Sequence, residues 1–159
     1  MDVPADRLAR FLALLTPAAL LGGAYVSEYG FGLFPCEMCW WQRYAHFAAL
    51  AFSLGAILRP RTTALVYLAA AAVGVSGLIG GYHAGVEYGW WEGVTACTAI
   101  PGASGGDPLE AILNAPLVRC DVAPWSLFGI SLAGWNFVIS VGTALGIAYL
   151  LRKRKRARA

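Results

Sequence analysis

Charged residues are absent from four long stretches of the chain, and polar residues are sparse within them. The uncharged runs are residues 11–27, 44–58, 62–86 and 122–151. A helix that crosses the hydrocarbon core of a membrane needs about 20 apolar residues at a rise of about 1.5 Å each. Backbone groups inside the hydrocarbon must find partners within their own segment, which favours helices. The pattern therefore predicts four membrane-spanning helices, at about residues 9–27, 38–58, 62–84 and 124–151.

Composition agrees with a membrane protein. Hydrophobic residues make up 58% of the chain and charged residues 13%, whereas soluble domains average about 45–50% and about 25%. No linker or repeat divides the sequence, so we predict a single all-α membrane domain over residues 1–159, a bundle of four transmembrane helices. The first run slightly exceeds the apolar core of a signal peptide and lacks a clear cleavage site, so we interpret it as a retained span.

The charged residues divide between the two sides of the predicted membrane. Ten of the 12 basic residues lie in the N-terminal segment, in the turn between the second and third spans, or in the C-terminal tail. Seven of the nine acidic residues lie in the two remaining segments, about 28–37 and 85–123. By the positive-inside rule both termini are cytoplasmic and these segments are outer loops. A net charge of +3 is too small to indicate nucleic acid, and the basic tail is typical of an anchor on anionic membrane lipid.

All four cysteines lie in or beside the two predicted outer loops: Cys36, Cys39, Cys97 and Cys120. An even number of cysteines on the oxidising side of a membrane indicates disulfide bonds. Four cysteines allow three pairings, and the sequence alone does not choose between them. Physical reasoning favours Cys36 with Cys39, which can close locally at a helix start. It also favours Cys97 with Cys120, whose bond would contribute about 3 kcal/mol even in a purely structural role.

The segment around the first cysteine pair reads PCEMCWWQR, residues 35–43. Pro35 suits a helix entrance, and a helix N-terminus stabilises a thiolate. Arg43 follows Cys39 by four residues and would lie one turn away on the same helix face. A thiolate at Cys39 would then be stabilised by the helix dipole and by a permanent cation. These features predict a reactive thiol pair; the alternative for Arg43 is an anchor that reaches out to the membrane surface.

The motif CEMCWWQR, the two loop cysteines and the later segment PWSLFGISLAGWN together resemble the disulfide bond formation protein B (DsbB) family. The resemblance covers the whole chain. It implies an inner-membrane thiol oxidase of bacteria, with redox loops in the periplasm, that reoxidises a DsbA-like thioredoxin-fold partner. The electrons would pass to a membrane quinone, either ubiquinone or menaquinone. The resemblance further implies that Cys97 is attacked by the partner's thiolate and that Cys120 then exchanges with Cys36.

The same resemblance assigns further residues to a quinone site. Cys39 is similar to the cysteine beside the quinone ring, and Arg43 to the arginine that holds a quinone oxygen. We expect His83 to contact the quinone and Gln42 to orient its neighbours there. His46, close to Arg43 in the second predicted span, we interpret as a structural residue.

Three other classes of protein share some of these features. Proteins similar to vitamin K epoxide reductase also have four helices and paired cysteines, but their loop pair precedes the Cys-x-x-Cys, the reverse of the order here. A zinc or copper site could use the four cysteines, or cysteines with His83, but the usual second tight pair is missing, so we predict no metal. The third class is a membrane scaffold with two inert disulfides.

Overall fold

The computed structural model describes residues 3–94, 98–99 and 117–156 of the chain. The four helices are α1 Val3–Phe31, α2 Glu37–Leu58, α3 Thr63–Glu87 and α4 Leu132–Arg156. Four two-residue strands form two antiparallel pairs: β1 Thr98–Ala99 with β2 Leu117–Val118, and β3 Ser126–Leu127 with β4 Ile130–Ser131. The fold is therefore mostly helical, as predicted.

The helices pack as a bundle in which α3 contacts both α2 and α4, and α1 closes the other side against the same two helices. Glycines allow α3 and α4 to approach closely. A Cβ atom at Gly77 would lie 2.9 Å from a side-chain carbon of Val141, and one at Gly80 would lie 2.8 Å from the carbonyl oxygen of Ala133. Small residues at such contacts are typical of helices that pack within a membrane.

Polar side chains face the interior of the bundle, and large apolar side chains face outward. Gln42, His46 and Asn136 are among the buried residues, whereas Leu58 and Leu78 are exposed. In water this distribution would be unfavourable, but lipid solvates apolar side chains and excludes polar ones. Three helical segments are long and apolar enough to cross a membrane: Ala5–Phe31, Thr63–Glu87 and Leu132–Arg156. The chain is a helical membrane protein.

One end of the bundle holds the N-terminal part of α1, the α2–α3 turn and the C-terminal part of α4. Arg10 donates hydrogen bonds to the carbonyl oxygens of Ala56 and Pro60, both at 2.7 Å, and to Asp6 at 3.0 Å. Arg154 of α4 donates to Asp6 as well. The three segments that the charge pattern assigned to one side of the membrane therefore lie together.

The helix bounds differ from the predicted spans mainly at the ends of α1 and α4. Helix α1 continues through residues 28–31, so the first connection is shorter than the predicted loop at 28–37. Helix α4 begins at Leu132 rather than near residue 124, because β3 and β4 form a hairpin there. The turn of this hairpin places Phe128 and Gly129 at positive φ angles of 53° and 77°. A right-handed α-helix cannot include such residues, so α4 begins after the turn. The four short strands were not predicted.

Candidate functional site

The two cysteines at the start of α2 form a close thiol pair. Cys36 is the N-cap residue, and its sulfur accepts a hydrogen bond from the backbone N–H of Cys39 at 3.4 Å. The two Sγ atoms are 3.1 Å apart. The S–H of Cys36 donates to Cys39, and this bond together with burial raises the pKa of Cys36 from 9.0 to about 12. Cys36 therefore keeps its proton, and Cys39 is the sulfur positioned to carry negative charge at the helix N-terminus.

Cys120 lies in the same buried cluster as Cys36, together with Met38 and Val86. Strand β2 leads into this position, and its Val118 packs against the same cluster. The structure therefore brings three of the four predicted redox cysteines to one place. The fourth, Cys97, lies outside the described residues.

Two neighbouring pockets are lined by residues of the thiol pair. One, which we call the cavity, has a volume of about 250 Å³ and is walled by α1, α2, the 33–35 connection and the first turn of α4. The other, the loop-side pocket, has a volume of about 290 Å³ and is lined partly by Val118, Arg119 and Val122. Cys39 lines both pockets, whereas Cys36 lines only the loop-side pocket. Cys39 is therefore the member of the pair that contacts the cavity, while Cys36 lies on the side of the loop residues Val118 and Arg119.

Arg43 lines the cavity one turn below Cys39, and it is buried rather than extended toward the membrane surface. Its side chain is 6% exposed and forms an ion pair with Glu28 of α1, whose side chain is 11% exposed, at 2.5 Å. The guanidinium also donates to the carbonyl oxygen of Ala24 and lies 4.9 Å from the ring centre of Tyr25 and 5.0 Å from that of Trp40. A planar guanidinium suits these several contacts better than an ammonium group.

A series of hydrogen-bonded side chains, which we call the buried polar chain, crosses the bundle from Cys36 to the cavity. His83 Nε2 lies 3.6 Å from Cys36 Sγ, and His83 Nδ1 lies 3.1 Å from Gln42 Nε2. Gln42 Oε1 accepts from Asn136 Nδ2 at 2.7 Å, and Asn136 Oδ1 lies 3.0 Å from His46 Nε2. Ser140 donates to the same Asn136 oxygen at 2.8 Å. The chain joins three helices and ends at His46, which lines the cavity.

Comparison with known proteins identifies the family. A family model described as Disulfide bond formation protein DsbB matches residues 6–150. The chain belongs to the DsbB family. It is 33% identical to Disulfide bond formation protein B of Methylococcus capsulatus, over 96% of this chain and 96% of the relative. It is 30% identical to the protein of that name from Haemophilus influenzae, over 96% and 92%. Disulfide bond formation protein B 2 of Pseudomonas syringae is also 30% identical, over 91% and 87%. No solved structure matches the chain.

Membership of the DsbB family makes this chain a membrane oxidoreductase of disulfide bond formation, and it removes the alternative based on vitamin K epoxide reductase. The predicted residues Cys39, Gln42 and Arg43 all line the cavity. His83 does not line it; the structure places His83 beside Cys36, in the loop-side pocket. The expected contact between His83 and a quinone therefore stays a prediction, with no support from the shape of the cavity.

A metal ion is the other ligand that these groups suggest. Donor atoms of Cys36, Cys39 and His83 lie within 4.8 Å of one another in the described part of the chain. A metal on His83 would need a bare Nε2 and a proton on Nδ1. Nδ1, however, faces the amide nitrogen of Gln42, which also donates to the carbonyl oxygen of Met38 at 3.1 Å. A metal would therefore require this amide to turn over and lose its backbone bond.

Three site residues were missed by sequence reasoning. Glu28 was assigned to a loop, Glu87 was counted only as an acidic loop residue, and Asn136 was not singled out at all. Glu87 lines both pockets, and its Oε1 lies 3.8 Å from His83 Nε2. A polar residue inside a predicted span is itself a signal of a functional site, and this signal could have found Asn136.

Proposed function

We propose that this DsbB-family chain is a quinone-linked thiol oxidase of the bacterial inner membrane. Electrons would enter from the dithiol of a DsbA-like periplasmic protein, pass through the Cys97–Cys120 pair and then the Cys36–Cys39 pair, and leave to ubiquinone or menaquinone. The proposal depends mainly on one observation: Cys36 lies in one buried cluster with Cys120, while its neighbour Cys39 lines a cavity together with Arg43.

Four membrane spans fit this role. Helix α2 has 22 residues, which extend about 33 Å and suffice to cross the hydrocarbon core. Helix α2 is not among the three most apolar segments because it contains Gln42, Arg43 and His46. All three side chains are buried within the bundle rather than facing lipid. With four spans both termini share one side. The basic residues at that end make it cytoplasmic by the positive-inside rule, so the cysteines face the periplasm.

The first steps are two thiol–disulfide exchanges. The partner's thiolate attacks Cys97 of a Cys97–Cys120 disulfide, a mixed disulfide forms, and Cys120 leaves as a thiolate. The partner's second thiol resolves the mixed disulfide and leaves Cys97 reduced. Cys120 then attacks Cys36 of a Cys36–Cys39 disulfide, and Cys39 is released as the thiolate. Cys97 completes the exchange, so Cys97 and Cys120 are again a disulfide and Cys36 and Cys39 a dithiol.

The last step occurs in the cavity, whose residues fit a quinone head group. A cavity of about 150 Å³ holds a benzene ring, so about 250 Å³ leaves room for a substituted ring. Apolar side chains of α1, α4 and the 33–35 connection line much of the cavity, and its polar lining includes Cys39 and Arg43. A bound quinone would supply the two-electron acceptor. Cys39 presents its sulfur to the ring, Cys36 holds a proton, and Arg43 favours negative charge on an adjacent oxygen.

An optical measurement tests the proposal. A thiolate against a quinone ring should give a long-wavelength charge-transfer band. We expect the band when short-chain ubiquinone is added to purified Cys36→Ser protein, in which Cys39 cannot form its disulfide. The matched Cys39→Ser protein should show no band. The wild-type protein, supplied with a reduced thioredoxin-fold oxidase, should reduce the quinone; protein that reduces none would refute the proposal.

A further inference from the structure

The orientations of both amides in the buried polar chain are determined by backbone carbonyl groups. Gln42 Nε2 donates to the carbonyl oxygen of Met38, and Asn136 Nδ2 donates to that of Ser76, each at 3.1 Å. A carbonyl oxygen can only accept, so an amide nitrogen rather than an amide oxygen must face each of them. Neither amide can turn over without bringing two oxygens together.

These orientations set the protonation of both histidines. Gln42 presents an N–H to His83 Nδ1, so this nitrogen is an acceptor and the proton lies on Nε2. Asn136 presents its oxygen to His46 Nε2, so this nitrogen carries the proton and His46 Nδ1 holds a lone pair. His46 is 3% exposed, and its Nδ1 is buried without a hydrogen-bond partner among the described residues. His46 also lines the cavity, so a ligand there lies beside its ring.

We propose that His46 binds the reduced product, accepting a hydrogen bond at Nδ1 from a hydroxyl group of hydroquinone in the cavity. This inference rests on the proposed function. A quinone carbonyl oxygen has only lone pairs and gains nothing from a bare nitrogen, whereas a hydroquinone hydroxyl is a donor. His46 therefore makes the cavity selective for the reduced form, and it does so as a binding residue rather than as a source of protons.

The position of His46 on α2 suits this role. Cys39, Arg43 and His46 all line the cavity, and the spacing from Cys39 to His46 extends about 10 Å along the helix. Arg43 offers only donors and suits an oxygen that gathers negative charge, while His46 offers an acceptor at the deeper end. In the reaction the Cys36–Cys39 pair becomes a disulfide, two electrons pass to the quinone, and its two oxygens take up the proton of Cys36 and one proton from water. The hydroxyl at the deeper end then donates to His46.

The expected size of the effect is that of one buried hydrogen bond. Such a bond changes an equilibrium constant by about tenfold. Hydroquinone should therefore bind about tenfold more tightly than quinone because of His46. For a two-electron couple this preference raises the potential of the bound quinone by about 30 mV, which favours electron transfer from the thiols.

The test compares the KM for a short-chain ubiquinone with the inhibition constant of its quinol, using the full-length protein in detergent. In the wild-type protein the inhibition constant should lie about tenfold below the KM. His46→Phe keeps an aromatic ring but no acceptor, and it should raise the inhibition constant about tenfold while the KM changes little. His46→Gln restores an acceptor oxygen and should retain most of the preference. Ser53→Ala removes a buried hydrogen bond from α2 to the carbonyl oxygen of Ala13, away from the cavity lining, and should leave both constants unchanged.

Several outcomes would overturn the inference. One is wild-type protein that binds quinone and quinol equally; another is His46→Phe protein in which both constants rise together, as a general loss of packing would cause. If His46→Phe does not fold, the wild-type ratio and the His46→Gln protein still decide. Failure of the proposed function is distinguishable, because the wild-type protein would then reduce no quinone, and the inference would fail with it.

Discussion

The buried ion pair between Arg43 and Glu28 leads to a prediction that separates stability from quinone binding. Both side chains are nearly enclosed, at 6% and 11% exposure, and the guanidinium has further partners in Ala24, Tyr25 and Trp40. Removing one member of such a pair leaves a buried charge uncompensated and costs about 3–5 kcal/mol. We therefore expect Arg43→Gln and Glu28→Gln each to lower the free energy of unfolding by about that amount. The double variant should be at least about 1 kcal/mol more stable than additivity predicts, because two neutral amides can pair.

Quinone binding should follow a different rule. Glu28→Gln keeps the cation and should leave the KM for quinone nearly unchanged. Arg43→Gln should raise it, and the double variant should not restore it. Denaturant titration in detergent micelles and steady-state kinetics against quinone measure the two effects. Asp121→Asn, which breaks an ion pair whose side chains are 56% and 49% exposed, is the control and should change stability little. A double variant that regains both stability and the original KM would refute a direct role of Arg43 in quinone binding.

Three further predictions concern the thiol pathway and the bundle interior. Cys120→Ser should trap a mixed disulfide between Cys97 and the thioredoxin-fold partner on non-reducing gels, and normal turnover in this variant would remove Cys120 from the pathway. Gly80→Ala places a Cβ 2.8 Å from a backbone oxygen of α4, so thermal unfolding should reveal a loss of about 1–3 kcal/mol from overpacking; an unchanged melting temperature would contradict this. Because the pKa of Cys36 is raised to about 12, its thiol stays protonated at neutral pH. In the reduced protein, iodoacetamide should therefore modify Cys39 before Cys36. Equal labelling by mass spectrometry would count against the hydrogen bond from Cys36.

The helices could be predicted because the uncharged runs at 62–86 and 122–151 exceed the length that a membrane span requires, and the runs at 11–27 and 44–58 approach it. The hairpin before α4 could not, since residues 122–151 form one uncharged run and hydropathy alone does not reveal a turn. Tyr88 holds this hairpin: its hydroxyl donates to the carbonyl oxygen of Gly129 and accepts from the N–H of Ser131. Both contacts join residues more than forty positions apart, so they depend on the packing of α3 against α4 rather than on local sequence.

Part of the candidate site could likewise be predicted from local sequence, and part could not. The sequence motif predicted Cys36, Cys39 and Arg43 because their spacing places them on neighbouring turns of one helix. It could not supply the partner of Arg43, since Glu28 lies on α1 and was assigned to a loop. His46 was interpreted as structural, and its bond to Asn136 supports part of that interpretation. Its unpaired nitrogen depends on the orientations of two amides from different helices, which no local pattern encodes.

The buried polar chain must bring a benefit other than stability, because polar side chains inside a membrane bundle gain only about 0.6 kcal/mol per hydrogen bond on average. Nearly every donor and acceptor of the buried polar chain has a hydrogen-bond partner. Among the described residues, two buried side-chain atoms are left without a partner: His46 Nδ1 and Glu87 Oε2. Both residues line the cavity. An unpaired buried acceptor costs about 1–3 kcal/mol, so two such atoms of the described residues, both on side chains that line one cavity, favour a ligand there that brings hydrogen-bond donors.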